Sequence, residues 1–311
     1  MIRTILTTAA CVACTGIPTF AAEEKPYTAT ETAATVLVDK TAVIEDHLPI
    51  EINRSTNQFI TTAKIDGIEG RYIIDTGATH TTLASEYVAE KIPQAELMPV
   101  QIQGSTNVKN GQKIMFGSID LGPMHFQHFP LFVTSLKPVN TMMEKPIAGI
   151  LGTTTFLQNP LPFIFSAKNA KVCWSKKHPA FPCTMRGSFD DNMRFISMAK
   201  AGGKDIPLLL DTGSSITIVP HGTWEPDAEQ ATHMKSADIN SASTDKMQRG
   251  KPMDLDLGGG LVLKNIRPWI AAPGAPGQIG MDILQHFDFC IARKNGNFTI
   301  TARMHEPENR Q

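Results

Sequence analysis

The chain has 311 residues, of which 19% are charged, and its formal net charge at pH 7 is −1. This length allows one large domain or two of ordinary size, and either arrangement can bury a sizeable core. A protein that binds nucleic acid needs a clear excess of Lys and Arg, so the charge balance excludes nucleic acid as the main partner.

The N-terminus has the pattern of an export signal. Arg3 supplies a basic start, residues 5–20 carry no charge, and small residues permit cleavage near Ala21 or Ala22. We therefore predict a signal peptide over residues 1–22 and an exported protein, either periplasmic or secreted.

A lipoprotein is the less favoured alternative for this N-terminus. Neither Cys11 nor Cys14 has a convincing aliphatic residue three places before it. No later charge-free stretch is long enough to cross a bilayer, so we predict no integral membrane segment in the mature protein.

An internal duplication occupies most of the remaining chain. Residues 59–85 align with residues 195–221 at a constant offset of 136 and share nine identities. Residues 149–152 align with residues 277–280 at an offset of 128. Because self-similarity of this kind indicates repeated structural units, the chain divides into consecutive parts. These are an N-terminal extension over residues 23–57, a first lobe over 58–175, a linker over 176–191, a second lobe over 192–304 and a tail over 305–311.

The repeated units have the pattern of β-structure. Short runs rich in Ile, Val, Phe and Thr, such as residues 58–64 and 129–133, end at Gly, Asn or Pro. The best candidate for a helix is residues 84–91. We predict an all-β protein of two similar small β-barrel lobes. The extension over 23–57 can be a propeptide, a disordered arm or an added strand, and the sequence does not choose between them.

Each repeat places an acid directly after an aliphatic run. Asp75 follows Ile73 and Ile74, and Asp211 follows residues 208–210, all of which are Leu. A carboxylate in this position is held near the core, where its ionised form is disfavoured unless hydrogen bonds compensate. The next two residues are Thr and Gly in both copies, and the glycine permits a tight turn. A single Asp-Thr-Gly can be a simple turn, but two at matched positions of a duplication indicate a shared chemical role.

This pattern resembles the aspartic peptidases, the superfamily that contains the pepsins and the dimeric retroviral proteases. The resemblance covers about residues 55 to 303, and the nearest description is two retropepsin-like units fused in one chain. It implies two lobes with an active-site cleft between them. In that family each lobe contributes an Asp-Thr/Ser-Gly loop and a hydrophobic-hydrophobic-Gly strand that packs beside the loop.

The resemblance implies a set of site residues. Asp75 and Asp211 would be the catalytic pair. The supporting residues would be Thr76, Gly77 and Ala78 in the first loop, Thr212, Gly213 and Ser214 in the second, and Ile150, Leu151, Gly152, Ile279 and Gly280 in the adjacent strands. Gln278 departs from the hydrophobic residue that the family has at its position.

The resemblance also implies a flap, a hairpin that closes over the substrate. The flap would fall around residues 100–116, with its tip near Gly104, Ser105 and Thr106, and a partner hairpin would lie around residues 237–251. The flap tyrosine that is typical of pepsins has no match here.

The function implied is that of an aspartic endopeptidase acting on peptide or protein substrates. Two neighbouring carboxyl groups would share one proton and activate a water molecule. Water is the nucleophile, so no metal or organic cofactor is implied, and one chain with both aspartates can act as a monomer. The alternatives are a catalytically silent peptide- or protein-binding envelope protein and a β-sandwich whose triplets are only turns.

One difference between the two loops bears on pH. Ser214 follows Gly213 and offers a hydroxyl donor to Asp211, whereas Ala78 offers none to Asp75. Because hydrogen bonds to an ionised carboxylate lower its pKa, the missing donor should raise the apparent pKa values of the pair. We expect a pH optimum less acidic than that of pepsin.

Three cysteines remain after removal of the signal. The sequence leaves two alternatives: a disulfide between Cys173 and Cys183 with Cys290 buried, or three reduced, buried thiols. His125 and His128 have no third ligand nearby, so we predict a structural role and no metal site.

Overall fold

The computed structural model describes residues 3–4, 35–38, 48, 50–104, 108–122, 124–159, 161–177, 179–237, 242–294 and 297–305. The predicted signal peptide lies outside the described residues except for Arg3 and Thr4, and the predicted tail lies outside them except for His305. Among the described residues, strands dominate and the helices are short.

The first half of the chain contains the strands of one β-lobe and three short helices. Of its other strands, Arg3–Thr4 pairs with a strand of the second half, and Phe163–Ser166 and Lys171–Trp174 join a sheet shared by both halves. Its elements are β1 (Arg3–Thr4), β2 (Thr35–Val38), β3 (Ile50–Ile52), β4 (Phe59–Ile65), β5 (Ile68–Ile74), β6 (Thr82–Ala84), α1 (Ser85–Lys91), β7 (Met98–Gln103), β8 (Val108–Leu121), β9 (Met124–Thr134), α2 (Lys137–Asn140), β10 (Gly149–Leu151), α3 (Thr153–Leu157), β11 (Phe163–Ser166) and β12 (Lys171–Trp174). Strands β9, β6, β10, β5, β4 and β8 follow one another in this order, and β8 pairs back to β9. The first lobe is therefore a closed six-stranded barrel.

The second half repeats this order but does not close. Its elements are β13 (Cys183–Thr184), β14 (Gly187–Phe189), β15 (Phe195–Ala201), β16 (Lys204–Leu210), β17 (Ile218–Val219), β18 (Pro226–Ala237), β19 (Ala242–Gly250), β20 (Met253–Asp256), β21 (Val262–Ile266), β22 (Trp269–Ile270), β23 (Gly277–Ile279), α4 (Met281–Leu284), β24 (Phe287–Lys294) and β25 (Asn297–Met304). Strands β22, β17, β23, β16, β15 and β20 follow one another as their counterparts do in the first lobe.

The predicted all-β, two-lobed fold is confirmed, with the first lobe a closed barrel and the second lobe a half-barrel. In the first lobe β8 is one strand of 14 residues that serves both the hairpin and the barrel wall. In the second lobe Lys251 and Pro252 separate β19 from β20. Proline has no N–H to donate to a strand ladder, so the strand is interrupted where the first lobe continues it.

A shared sheet joins the two lobes. Its strand order is β12-β11-β24-β25-β13, with β11 antiparallel to β24. Phe165 of β11 stacks on Phe289 of β24 and on Phe59 of the barrel, with ring centroids 4.7 Å and 4.5 Å apart. The buried carboxylate of Asp288 accepts hydrogen bonds from the Ser166 hydroxyl and from the Arg303 guanidinium, both at 2.7 Å. Polar and aromatic contacts therefore tie the lobes together.

Parts of the N-terminal extension and of the linker are strands. β2 pairs with β9 and β3 pairs with β4. Leu48 is 1% exposed and donates its N–H to the carbonyl of Val172. These described parts fit the added-strand alternative. The linker over 176–191 contributes β13 and β14 to two sheets, and helix α1 lies where the sequence predicts one.

The disulfide between Cys173 and Cys183 is wrong for this structure. Cys173 lies on β12 and Cys183 on β13, at opposite edges of the five-stranded sheet. Four strand spacings separate them by roughly 19 Å, whereas disulfide formation requires Cα atoms within about 7 Å. All three thiols are free, but only Cys290 is buried, and burial raises its pKa to about 12.

Two further predictions concern ligands and membranes. The side chain of His125 contacts the carboxylate of Asp120, and no group of three metal-ligating side chains occurs among the described residues. Within the same residues, no helix has the length and apolar character needed to span a bilayer.

Candidate active site

The two Asp-Thr-Gly loops have the same support in each lobe. Asp75 follows β5, and its N–H donates to the carbonyl of Leu151 on the parallel strand β10 at 3.0 Å. Asp211 follows β16, and its N–H donates to the carbonyl of Ile279 on the parallel strand β23 at 3.0 Å. The duplicated sequence therefore produces a duplicated loop geometry.

Reciprocal threonine hydrogen bonds lock the two loops to each other. The Thr76 hydroxyl donates to the carbonyl of Leu210 at 2.8 Å and accepts from the N–H of Thr212 at 3.1 Å. The Thr212 hydroxyl donates to the carbonyl of Ile74 at 2.7 Å and accepts from the N–H of Thr76 at 3.0 Å. These four buried bonds place the loops around an approximate two-fold axis.

The glycines bring the two acids face to face. A Cβ on Gly77 would lie 2.5 Å from Cγ of Asp211, and one on Gly213 would lie 2.3 Å from Cγ of Asp75. Each carboxyl group thus lies directly against the glycine of the other loop. Real Cβ atoms do not approach so closely, so these two positions require glycine.

Backbone N–H groups hold one oxygen of each acid. Oδ1 of Asp75 accepts from Gly77 at 2.8 Å and from Ala78 at 2.9 Å, and Oδ1 of Asp211 accepts from Gly213 at 2.8 Å. Both side chains are 0% exposed. Within the described part of the chain, the Oδ2 atoms have no hydrogen-bond partner outside these two acids, whose side chains interact with each other. We call Asp75 and Asp211 the aspartate pair.

Burial raises the pKa values of both members of the aspartate pair, and repulsion by Asp211 adds to the effect on Asp75. Burial, followed by the charge of Asp211, raises the pKa of Asp75 well above its ordinary value. Burial also raises the pKa of Asp211 to about 6, against the lowering effect of its interaction with Asp75 and of nearby donors. Two buried carboxyl groups so close together do not both ionise easily, which favours a state in which they share one proton.

Ser214 does not donate to the carboxylate of Asp211, contrary to the sequence prediction. Its hydroxyl donates to the carbonyl of Ile216 at 2.8 Å and accepts from the side-chain amide of Gln278 at 2.6 Å. Gln278 is 5% exposed, so the residue that departs from the hydrophobic pattern is a buried partner of the serine. Neither acid therefore receives a hydroxyl bond from the residue after its glycine.

The strands beside the loops approach them closely. A Cβ on Gly152 would lie 2.6 Å from the carbonyl carbon of His80, and one on Gly280 would lie 2.2 Å from the carbonyl oxygen of Ile216. Ile150, Leu151 and Ile279 are fully buried. The predicted supporting residues thus lie against the two loops in both lobes.

Two residues near the aspartate pair escaped sequence analysis. The Gln58 side-chain amide donates across the lobes to the carbonyl of Gly213, and the positive charge of Arg194 contributes to lowering the pKa of Asp211. They occupy equivalent positions of the duplication, one residue before the aligned segments. Extending the alignment by that residue would have shown a polar side chain at both places.

His80 also lies in the first loop region and was not predicted. Its ring stacks on Phe132 with centroids 4.6 Å apart. Burial, followed by the charge of Lys113, lowers the pKa of His80 to about 4. The imidazole is therefore neutral at physiological pH and adds no charge beside the aspartate pair.

Each lobe carries a long hairpin that packs toward its loop. β7 and β8 form the first, where the sequence predicts a flap, and Ile102 lies in one buried cluster with Ala78. Gly104 is buried, whereas the predicted tip residues Ser105 and Thr106 lie outside the described residues. β18 and β19 form the second hairpin, which begins at Pro226, before the predicted range.

Comparison with known proteins gives one family match. Residues 61–155 match the family model described as aspartyl protease, and this segment includes the first Asp-Thr-Gly loop, the first hairpin and β10. No curated protein matches the chain.

Proposed function

We propose that this chain, whose residues 61–155 match the aspartyl protease family model, is an aspartic endopeptidase that hydrolyses peptide bonds with Asp75 and Asp211. The observation that carries the proposal is the meeting of two fully buried carboxyl groups across a reciprocal threonine network. A protein that only binds peptides has no need of two such acids.

The mechanism follows from the shared proton. The ionised member of the pair accepts a proton from a bound water molecule, and the water oxygen attacks the scissile carbonyl carbon. The protonated member donates to the carbonyl oxygen, which gives a neutral tetrahedral diol. As the diol collapses, the C–N bond breaks, the protonated member donates to the leaving amine, and the ionised member takes a proton from a diol hydroxyl as the new carbonyl forms. The pair therefore stays singly protonated throughout. Their Oδ2 atoms are the oxygens left for these transfers.

Substrate entry requires movement of the hairpins. Both carboxyl groups are 0% exposed, and each hairpin packs apolar residues toward a loop, Ile102 in the first and Met247 in the second. We assign these hairpins as flaps that open to admit an extended peptide. Closure would then exclude bulk water from the reacting carbonyl.

Export and a monomeric state complete the proposal. The charge-free N-terminal run supports cleavage after residue 21 or 22 and a periplasmic or secreted location. Both acids come from one chain, so a monomer contains a whole site. Cell fractionation with N-terminal sequencing tests the first point, and sedimentation of the active protein tests the second.

Digestion of a mixed peptide library from pH 3 to pH 8 tests the proposed activity. We expect the purified mature protein to produce internal cleavages, detected by mass spectrometry, that the Asp75→Asn variant does not produce. A wild-type protein that binds library peptides but leaves them uncut would favour the binding-protein alternative. A variant that cuts as fast as the wild type would point to a contaminating peptidase.

A further inference from the structure

The two loops differ at one matched pair of buried positions. In the first lobe Ala78 follows the glycine and Ile150 occupies the adjacent strand, and both are apolar and fully buried. In the second lobe the equivalent residues are Ser214 and Gln278, both buried. A polar pair has therefore replaced an apolar pair beside one acid only.

Hydrogen bonds fix the Ser214 hydroxyl away from Asp211. The Gln278 amide donates to the serine oxygen at 2.6 Å, and the hydroxyl proton goes to the carbonyl of Ile216 at 2.8 Å. The N–H of Ile216 also approaches the serine oxygen at 3.4 Å. The Ser214 hydroxyl therefore already donates its proton to one partner and accepts a hydrogen bond from another.

Ser214 occupies the same position relative to Asp211 that Ala78 occupies relative to Asp75. In the first loop the equivalent residue, Ala78, brings its N–H within 2.9 Å of Oδ1 of Asp75. Ser214 itself bonds through its N–H to the backbone of Asp211 at 3.3 Å. A hydroxyl–carboxylate bond is stronger than a hydroxyl–carbonyl bond, so an unrestrained serine would be drawn to the acid.

We propose that Gln278 sets the pH range of the peptidase by holding the Ser214 hydroxyl away from Asp211. This inference rests on the proposed function, and it makes Gln278 a positioning residue that acts through Ser214. The second loop then resembles the first, which has no hydroxyl at the position after its glycine. Both acids remain without a hydroxyl donor, and the enzyme works at a less acidic pH than it would with Ser214 released.

Few charges face the aspartate pair besides its own members. Arg194, which lies just before β15 and is paired with Asp190 at 2.6 Å, contributes a positive charge that lowers the pKa of Asp211. On α4, Asp282 accepts from the Thr217 hydroxyl at 2.7 Å and feels the charge of Arg249. Gln278 and Ser214 are neutral, so changing them alters hydrogen bonding without changing the charge around the pair.

The test compares four proteins: wild type, Gln278→Met, Ser214→Ala and the double variant. Carbon-13 NMR titration of the aspartate carboxyls reports the apparent pKa values of the pair whether or not the protein cuts peptides. The pH profile of kcat/KM is the second readout. If the wild-type protein cleaves no peptide, the proposed function is refuted. The titration still decides the role of Gln278 in that case, because it does not depend on cleavage.

We expect Gln278→Met to lower the acidic apparent pKa by about one unit, as one new bond to an ionised carboxylate should. Ser214→Ala should leave that pKa unmoved, and the double variant should match Ser214→Ala. The proposal fails if Ser214→Ala raises the pKa, because Ser214 would then already serve Asp211. It also fails if Gln278→Met has no effect, or has the same effect with and without Ser214. Should Gln278→Met not fold, the Ser214→Ala titration decides alone.

Discussion

Removing one threonine hydroxyl should weaken the joint between the loops more than its small size suggests. In Thr76→Ala, the carbonyl of Leu210 loses its donor at 2.8 Å and the N–H of Thr212 loses its acceptor at 3.1 Å. Both groups stay buried between the lobes, and an unsatisfied buried polar group costs about 1–3 kcal/mol. We therefore expect the free energy of unfolding to fall by roughly 2–6 kcal/mol.

Matched variants separate this effect from general damage. Thr76→Ser keeps the hydroxyl and should retain most of the stability, whereas Thr62→Ala removes an exposed threonine from β4 and should change it little. Thr212→Ala removes the two-fold related bonds at 2.7 Å and 3.0 Å and should lose as much as Thr76→Ala.

Urea unfolding at 25 °C, followed by tryptophan fluorescence, measures these differences. A parallel assay of kcat should show a loss of about 100-fold in Thr76→Ala, because a displacement near 1 Å at reacting groups has this effect. The reasoning is refuted if Thr76→Ala and Thr76→Ser unfold within about 0.5 kcal/mol of each other.

Three further predictions concern the aspartate pair and the joint between lobes. Gly213→Ala should fold but lose at least about 100-fold in kcat, because its Cβ would lie 2.3 Å from Cγ of Asp75; wild-type kcat would contradict this. Burial raises the pKa of both acids, so their contribution to stability is present at low pH and is lost as the pH rises through their raised pKa values, which for Asp211 is about 6. As the pH rises from 5 to 8, the free energy of unfolding measured in urea should therefore fall less for Asp75→Asn than for the wild type. Equal decreases in the two proteins would contradict the prediction. Bonds from Arg303 and Ser166 outweigh burial and lower the pKa of Asp288, so its contribution is present above pH 3.8 and fades as the pH falls. Asp288→Asn should cost roughly 1–3 kcal/mol at pH 7, and a loss under about 0.5 kcal/mol would contradict this.

The features that could be predicted from the sequence are those that depend on local residue patterns or on the internal duplication. Strand character, the short helix over Ser85–Lys91 and the equivalence of the two loops follow from periodicity and from matched positions. The barrel of the first lobe was also predicted correctly. The open form of the second lobe was not, because it depends on Pro252 at a place where the first lobe has an unbroken strand.

Contacts between distant segments could not be predicted in the same way. Ser214 carries a hydroxyl that could donate to the neighbouring Asp211. Its actual orientation depends on a hydrogen bond from Gln278, which lies 64 residues later in the sequence. Cys173 and Cys183 are close in sequence, but the sheet between the lobes places them at opposite edges. Gln58 reaches the second loop only because the lobes meet there.

Turnover and peptide binding of Asp75→Asn and Asp211→Asn, measured side by side, test the proposed activity most directly. Loss of a general acid or base costs 10²–10⁴-fold, so we predict that either change lowers kcat by at least about 100-fold. Binding of a cleaved-sequence peptide should stay within about threefold, since a neutral side chain of the same shape remains. Cleavage at the wild-type rate by either variant would contradict the assignment of these two aspartates as the catalytic pair.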